Sequence, residues 1–401
     1  MIEPTTRGIT APEGFRAAGV ACGIKASGRL DVSLVVSDRP AVAAGVFTTN
    51  LAVAAPVTVS KEHLAATHGS ARAVVTNSGC ANACTGRAGL DTARLMAAQA
   101  ARLIGCDPDE VLVASTGVIG VTLDAHKVSA GIIAAFDALD VDGHAAATQA
   151  IMTTDPFPKE AAVRVTTDAG VFAIGGMAKG SGMIEPRLAT MLGYLTTDAR
   201  IDATRLERAL HDACEDTFNA ITVDGEPSTN DSVFALANGA SGVAIDDRLY
   251  DTFVQGLREV ARALALGIVR GGEGATKLIM VRVTGARAYA DAKQAARAIA
   301  NSLLVKTAVH GGDPNWGRLV AAAGRSGAPF DLGGARVRIG SIELFADGRP
   351  FDERAPEAAK YLEGRDIEIL VDLGTGGPEE AVMWTCDLSA EYVRINAEYR
   401  T

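Results

Sequence analysis

The chain has 401 residues, a net charge of −10 and 48% hydrophobic content, with 43 glycines and only 5% aromatics. That length supports two or three domains whose cores are built from small side chains. The acidic balance opposes non-specific attraction to nucleic acid or anionic lipid, and no basic run offsets it, so neither is expected as a partner. From Arg258 to Arg270 the charges merely alternate with alanine and leucine along a helix face.

In chain order, residues 1–8 lack the charged-then-apolar order of a signal peptide, and a cytoplasmic protein is expected. Residues 40–60 carry no charge but are broken by Thr48, Thr49, Asn50, Pro56 and Thr58. Their period of two around Val53 and Val57 reads as paired strands with a turn, not a membrane span. A strand is predicted over 73–76, then a helix over 91–104, capped by Asp91 and ended by Gly105. A strand over 111–114 and a helix over 124–139 follow, the latter with Val128, Ile132, Ile133 and Phe136 on its apolar face. Strands at 163–165 and 171–174 lead to helices at 203–218, 249–266 and 290–304. The last strands are 278–283, 337–345 (bulged or bent at Gly340-Ser341), 367–373 and 382–384.

This interspersed order predicts an α/β protein of layered sheets and helices rather than a doubly wound fold. Two lobes dividing near residue 190 are expected. Cysteines stand at 22, 80, 84, 106, 214 and 386, and only Cys80 and Cys84 are near neighbours. No second pair with histidines completes a zinc pattern, so no metal and no disulfide is expected.

The chemistry-bearing segments start with Lys179-Gly180-Ser181-Gly182-Met183 and, after it, Ala189-Thr190-Met191-Leu192. A cut between Ala189 and Thr190 would put a hydroxyl and an α-amine on one residue. That amine has a pKa of about 7.7–8.0 and can take the hydroxyl proton near neutrality. An ordinary loop is the competing reading. Ser115-Thr116-Gly117 follows the strand at 111–114, where backbone N–H groups and a hydroxyl can face developing negative charge; a plain turn would look similar. Met152-Thr153-Thr154-Asp155-Pro156 is either a capped turn or a substrate contact. In the segment from Gly271 to Lys277 the order is wrong for a phosphate loop, and Glu273 between glycines suits an ammonium group. The segments from Asp224 to Asp231 and from Gly312 to Arg318 are polar, turn-rich loops of the kind on which sites are built. None of the six histidines sits in a triad-like pattern, which favours a nucleophile that needs no histidine.

Together these segments resemble the ornithine acetyltransferase family, the bifunctional glutamate N-acetyltransferases of the cyclic arginine pathway. The resemblance runs from Gly14-Phe15-Arg16 to the C-terminus. It rests on Asn77-Ser78-Gly79 with Asn82-Ala83, Ser115-Thr116-Gly117, Met152-Thr153-Thr154-Asp155 and the two segments flanking the cut. Ser228-Thr229-Asn230-Asp231, Lys306-Thr307-Ala308 and Asp313-Pro314-Asn315-Trp316-Gly317-Arg318 complete it. It implies a layered α/β fold of its own topology, similar in layering to N-terminal nucleophile enzymes. It also implies self-cleavage into chains 1–189 and 190–401 that stay together as an α2β2 assembly.

The activity implied is transfer of acetyl from N-acetylornithine to glutamate through an acetyl-threonine at Thr190. Thr116 and Gly117 would form the oxyanion hole, and Thr153, Lys179, Thr190, Glu273, Asn396 and Thr401 would contact substrate. No cofactor is implied; acetyl-CoA as a further donor stays open. The alternative is an N-terminal nucleophile amidase or aminopeptidase, which would hand the acyl group to water. Glu185, Arg187, Leu188 and Pro227 depart from the family's usual pattern.

Overall fold

The computed structural model describes residues 1–185 and 191–398. Ala189, Thr190 and Thr401, assigned above to cleavage and substrate, lie outside the described residues. The chain divides into two compact units, one of residues 1–219 with 227–268 and one of residues 220–226 with the chain from Val269 onward. The division does not fall at residue 190. The expected chains 1–189 and 190–401 therefore concern covalent processing rather than folding units.

The first unit contains β1 (Ile2–Pro4), β2 (Phe15–Val20), β3 (Val32–Phe47), α1 (Ala55–Ala66), β4 (Ser70–Cys80), α2 (Gly86–Ile104), β5 (Val111–Val118), α3 (Ala125–Asp137), α4 (His144–Ile151), β6 (Lys159–Thr167), β7 (Gly170–Lys179), β8 (Leu192–Thr197), α5 (Ala203–Glu215), β9 (Ser232–Ala237) and most of α6 (Tyr250–Arg270). Its nine strands form one sheet in the order β1-β6-β7-β8-β9-β3-β4-β5, with β2 also paired to β3. The β4–β5 and β8–β9 pairs are parallel and the others antiparallel.

Alternation along the strands explains the layering. Leu34, Ala73, Val75, Val111 and Val113 pack with Met96, Ala97, Val128 and Ile132 of α2 and α3. Their neighbours Val35, Val74, Leu112 and Ala114 join Ala147 and Ile151 of α4 in a separate cluster. These strands are apolar on both sides because helices cover both sides.

The second unit holds β10 (Leu278–Ala286), α7 (Tyr289–Ala300), α8 (Leu303–His310), α9 (Trp316–Gly324), β11 (Arg336–Ile339), β12 (Ile342–Ala346), β13 (Arg349–Pro350), α10 (Ala355–Tyr361), β14 (Asp366–Asp372), β15 (Glu379–Cys386) and α11 (Ala390–Glu398). Its sheet runs β13-β12-β11-β14-β10-β15, with only β10 and β14 parallel. Alanines 292, 295, 296 and 300 of α7 lie in its core against Val281, Ile369 and Met383, the close packing that a small-residue composition permits.

Several expected boundaries move for local reasons. Residues 40–60 are not paired strands: they end β3 and open α1, where Pro56 takes the first turn and its missing N–H costs nothing. Asp91 does not cap α2, which begins a turn earlier; it pairs with Arg87 at i,i+4. Gly105 does end that helix, in the left-handed conformation. The run 290–304 is two helices, because the Ser302 side chain accepts from Val305 N–H and restarts the chain as α8. Residues 337–345 are two antiparallel strands, with Gly340 at φ 60° in the turn between them. Among the described residues no helix is long and apolar enough to cross a membrane.

Candidate active site

In the first unit the sequence places Ser115-Thr116-Gly117 in the last residues of β5, not in a loop after it. Parallel pairing sets Ser78 against Thr116 and Gly79 against Gly117, and the register breaks at Cys80. Gly117 has φ 128°, and a Cβ there would lie 2.4 Å from the Gly79 carbonyl carbon and 2.6 Å from Cys80 N. Only glycine permits two strands to close this far.

The corner is held by buried amides. Ser115 Oγ donates to Asn77 Oδ1 at 2.6 Å, and Asn77 Nδ2 donates to Cys80 O at 2.9 Å. Asn230 Nδ2 donates to Ala81 O at 2.6 Å and to Ser115 O at 2.9 Å, while Thr229 Oγ1 donates to Asn230 Oδ1. Two residues on, Ser232 N donates to Met191 O at 2.9 Å. A continuous run of hydrogen bonds and short chain therefore ties the Ser115–Gly117 corner to the residue following position 190.

Lys179 is the last residue of β7 and pairs with Leu192, which pairs in turn with Ser232. Gly180 N donates to Asp155 Oδ1 at 2.7 Å, and Thr153 N donates to Asp155 Oδ2 at 3.0 Å. Asp155 thus joins the Thr153 turn to the end of β7. Its other partner is Lys159 Nζ at 2.5 Å, and both side chains are essentially inaccessible to water. Burial would raise the Asp155 carboxyl, but Lys179, Lys159 and the Gly180 N–H together hold it at about 2. Burial likewise pulls Lys159 below the ordinary lysine value, against the attraction of Asp155.

Asp155 thus links Thr153 to the end of β7 at Lys179, while Asn230 and Ser232 link the corner that holds Thr116 and Gly117 to Met191. Sequence reading missed the Asp155–Lys159 pair and assigned no role to Asn230 or Asp231. The spacing of Lys159 four residues after Asp155 was the available signal.

In the second unit, Asn396 Nδ2 donates to Glu273 Oε2 at 2.8 Å, joining the two expected residues. Gly274, at φ 68°, lets the loop approach α11: a Cβ there would lie 2.6 Å from Tyr392 N. Ser389 Oγ donates to Gly274 O at 2.7 Å and fixes the approach. Burial chiefly, then the carboxylates of Asp224, Glu273 and Glu226, push the Tyr392 hydroxyl well above its ordinary value. Those acids make a local field that suits an ammonium group.

Of the histidines, His63 bonds Val111 O within the core, His144 pairs with Glu160 and His310 with Asp387.

The ArgJ family matches residues 16–401 of the chain. A relative from Symbiobacterium thermophilum, named arginine biosynthesis bifunctional protein ArgJ, is 50% identical over 401 residues, covering 98% of each chain. One of the same name from Dehalococcoides mccartyi is 45% identical over 399 residues, covering 98% of this chain and 97% of its own. A solved structure of the protein of that name from Bacillus halodurans is 40% identical with a TM-score of 0.50. It covers 52% of this chain and 100% of its own.

Proposed function

This chain belongs to the ArgJ family, and we propose on that premise that it moves the acetyl group of N-acetylornithine to glutamate through an acetyl-threonine at Thr190. The observation that carries this reading is the hydrogen-bonded run from Ser115 through Asn230 and Ser232 to Met191. It ties the segment assigned to the oxyanion hole to the residue next to the assigned nucleophile. The solved Bacillus halodurans chain adds support. It matches in full yet accounts for 52% of this chain, about the share held by residues 190–401, whereas relatives of the same name span nearly all of it. Processing into chains 1–189 and 190–401 fits that difference, and an α2β2 assembly of the two chains is part of the proposal.

Each residue then has one task. The α-amine of residue 190 takes the hydroxyl proton as Oγ attacks the acetamide carbonyl. The backbone and side chain at Thr116 and Gly117 donate to the oxygen as it becomes negative. The amine of ornithine leaves with a proton, and the amine of glutamate then attacks the acetyl ester, restoring the hydroxyl. Donor and acceptor both carry an α-carboxylate, for which Lys179 is the cation, with Thr153 beside it. Glu273 takes the side-chain ammonium of ornithine, with Asn396 and Thr401 as further contacts. Acetyl-CoA is a second acetyl donor to the same threonine in a bifunctional enzyme.

Intact-mass measurement before and after adding N-acetylornithine tests the whole scheme. Two chains meeting at 189/190 are expected, with one acetyl group gained by the chain that begins at Thr190. A fully active, uncut chain would remove the reading. If ornithine is released at the same rate with glutamate absent, an amidase replaces the transferase.

A further inference from the structure

The mechanism above arms its threonine with an α-amine that exists only after the chain is cut, so the cut itself needs a different base. Asp231 lies beside the first described residue after the cut. Ser232, its chain neighbour, holds the Met191 carbonyl at 2.9 Å, and the β8–β9 register sets Leu192 against Ser232. Asp231 is therefore the residue that comes alongside Met191, one position from the cut. It is 2% exposed, and its Oδ2 has no hydrogen-bond partner among the described residues. Ser228 is the hydrogen-bonding residue of this carboxyl, and a buried oxygen left without a partner carries a standing energetic cost.

We propose that Asp231 is the proton carrier of self-cleavage. The proposal rests on the acetyltransferase reading only through the cut at Ala189–Thr190. In the uncut chain its carboxylate accepts the Thr190 hydroxyl proton as Oγ bonds to the Ala189 carbonyl carbon. It returns that proton to the residue-190 nitrogen as the C–N bond breaks. The products are an ester and a free amine; water then hydrolyses the ester to the Ala189 carboxyl and the Thr190 hydroxyl. No other reactant is consumed.

Burial, resisted by Ser228 and by the Lys179 ammonium at the end of β7, raises this carboxyl well above its ordinary value. A base so tuned works nearer neutrality than an exposed aspartate. Lys179 is the charged group acting on it among the described residues.

The test is Asp231→Asn in the full chain, made by cell-free translation and chased at a series of pH values. Cut and uncut chains are separated on a denaturing gel. The wild type should cut about tenfold more slowly for each pH unit below the carboxyl's pKa. D231N should cut roughly 10²–10⁴ times more slowly, at a rate flat with pH over that range. Thermal melting against uncut Thr190→Ala shows whether D231N is folded; if it is not, the wild-type pH profile still decides. D231N cutting at the wild-type rate, or keeping the wild-type pH profile, overturns the proposal alone, as does a wild-type rate that does not fall with pH. An uncut wild type overturns it together with the cleavage on which it rests.

Discussion

Asp155→Asn preserves the shape of the side chain and removes one negative charge from the centre of the first unit's site. In the wild type that charge receives Lys159 Nζ at 2.5 Å, Gly180 N at 2.7 Å and Thr153 N at 3.0 Å. The substitution strands the Lys159 ammonium, whose other acceptor is the Phe157 carbonyl at a long 3.4 Å. Removing one partner of a buried ion pair costs about 3–5 kcal/mol. The lower end applies here, because asparagine keeps an acceptor for one N–H and the buried amine can shed its proton. Linkage gives a similar size. The carboxyl sits at about 2 against an ordinary 3.8, a depression worth roughly 2–3 kcal/mol.

The sign follows from the direction. A carboxyl lowered by folding stabilises fully above its unfolded value and loses that contribution as pH falls through the folded one. Urea unfolding should therefore show D155N about 3 kcal/mol less stable at neutral pH. The gap should close between pH 3.8 and about 2. Asp155→Asn with Lys159→Met should recover much of the loss, since the pair is then absent rather than broken. A neutral-pH loss below about 1 kcal/mol, or a gap unchanged across the acid window, would refute the assignment of this pair as the brace between Thr153 and β7.

Two further predictions concern the Ser115–Gly117 corner, proposed above as the oxyanion hole. Thr116→Ala should lower kcat by about 10²–10³-fold, with KM for N-acetylornithine nearly unchanged, the loss typical of one oxyanion donor; steady-state kinetics with unchanged kcat would exclude that role. Gly117→Ala must push the ends of β4 and β5 apart, because its Cβ would lie 2.4 Å from the Gly79 carbonyl carbon at φ 128°. A loss of at least 1–3 kcal/mol in urea unfolding is expected from the backbone alone, with activity falling more steeply than stability; wild-type stability would show that this close approach is not required.

Sequence alone determined the features that depend on near neighbours. The helices over 124–139 and 203–218 and the stop at Gly105 were legible from apolar periodicity and a terminal glycine. The N-cap read at Asp91 was misplaced, whereas the caps at Asp124 and Asp202 came from the structure. Segments such as Ser115-Thr116-Gly117 and Lys179-Gly180 could be singled out as candidates because each is contiguous in the chain. Short buried strands such as β8 and β9 were not, as all six residues of each are buried and no alternation marks them.

Tertiary structure decided how the segments meet. Asn230 reaches Ser115 across 115 positions and Gly180 reaches Asp155 across 25. No local propensity encodes such distances. Asp231 read as part of a polar loop until pairing of β8 with β9 drew it beside Met191 and took away its water. Burial, which changes what a carboxyl can do with a proton, is a property of the packed sheet and not of the tetrapeptide that carries it.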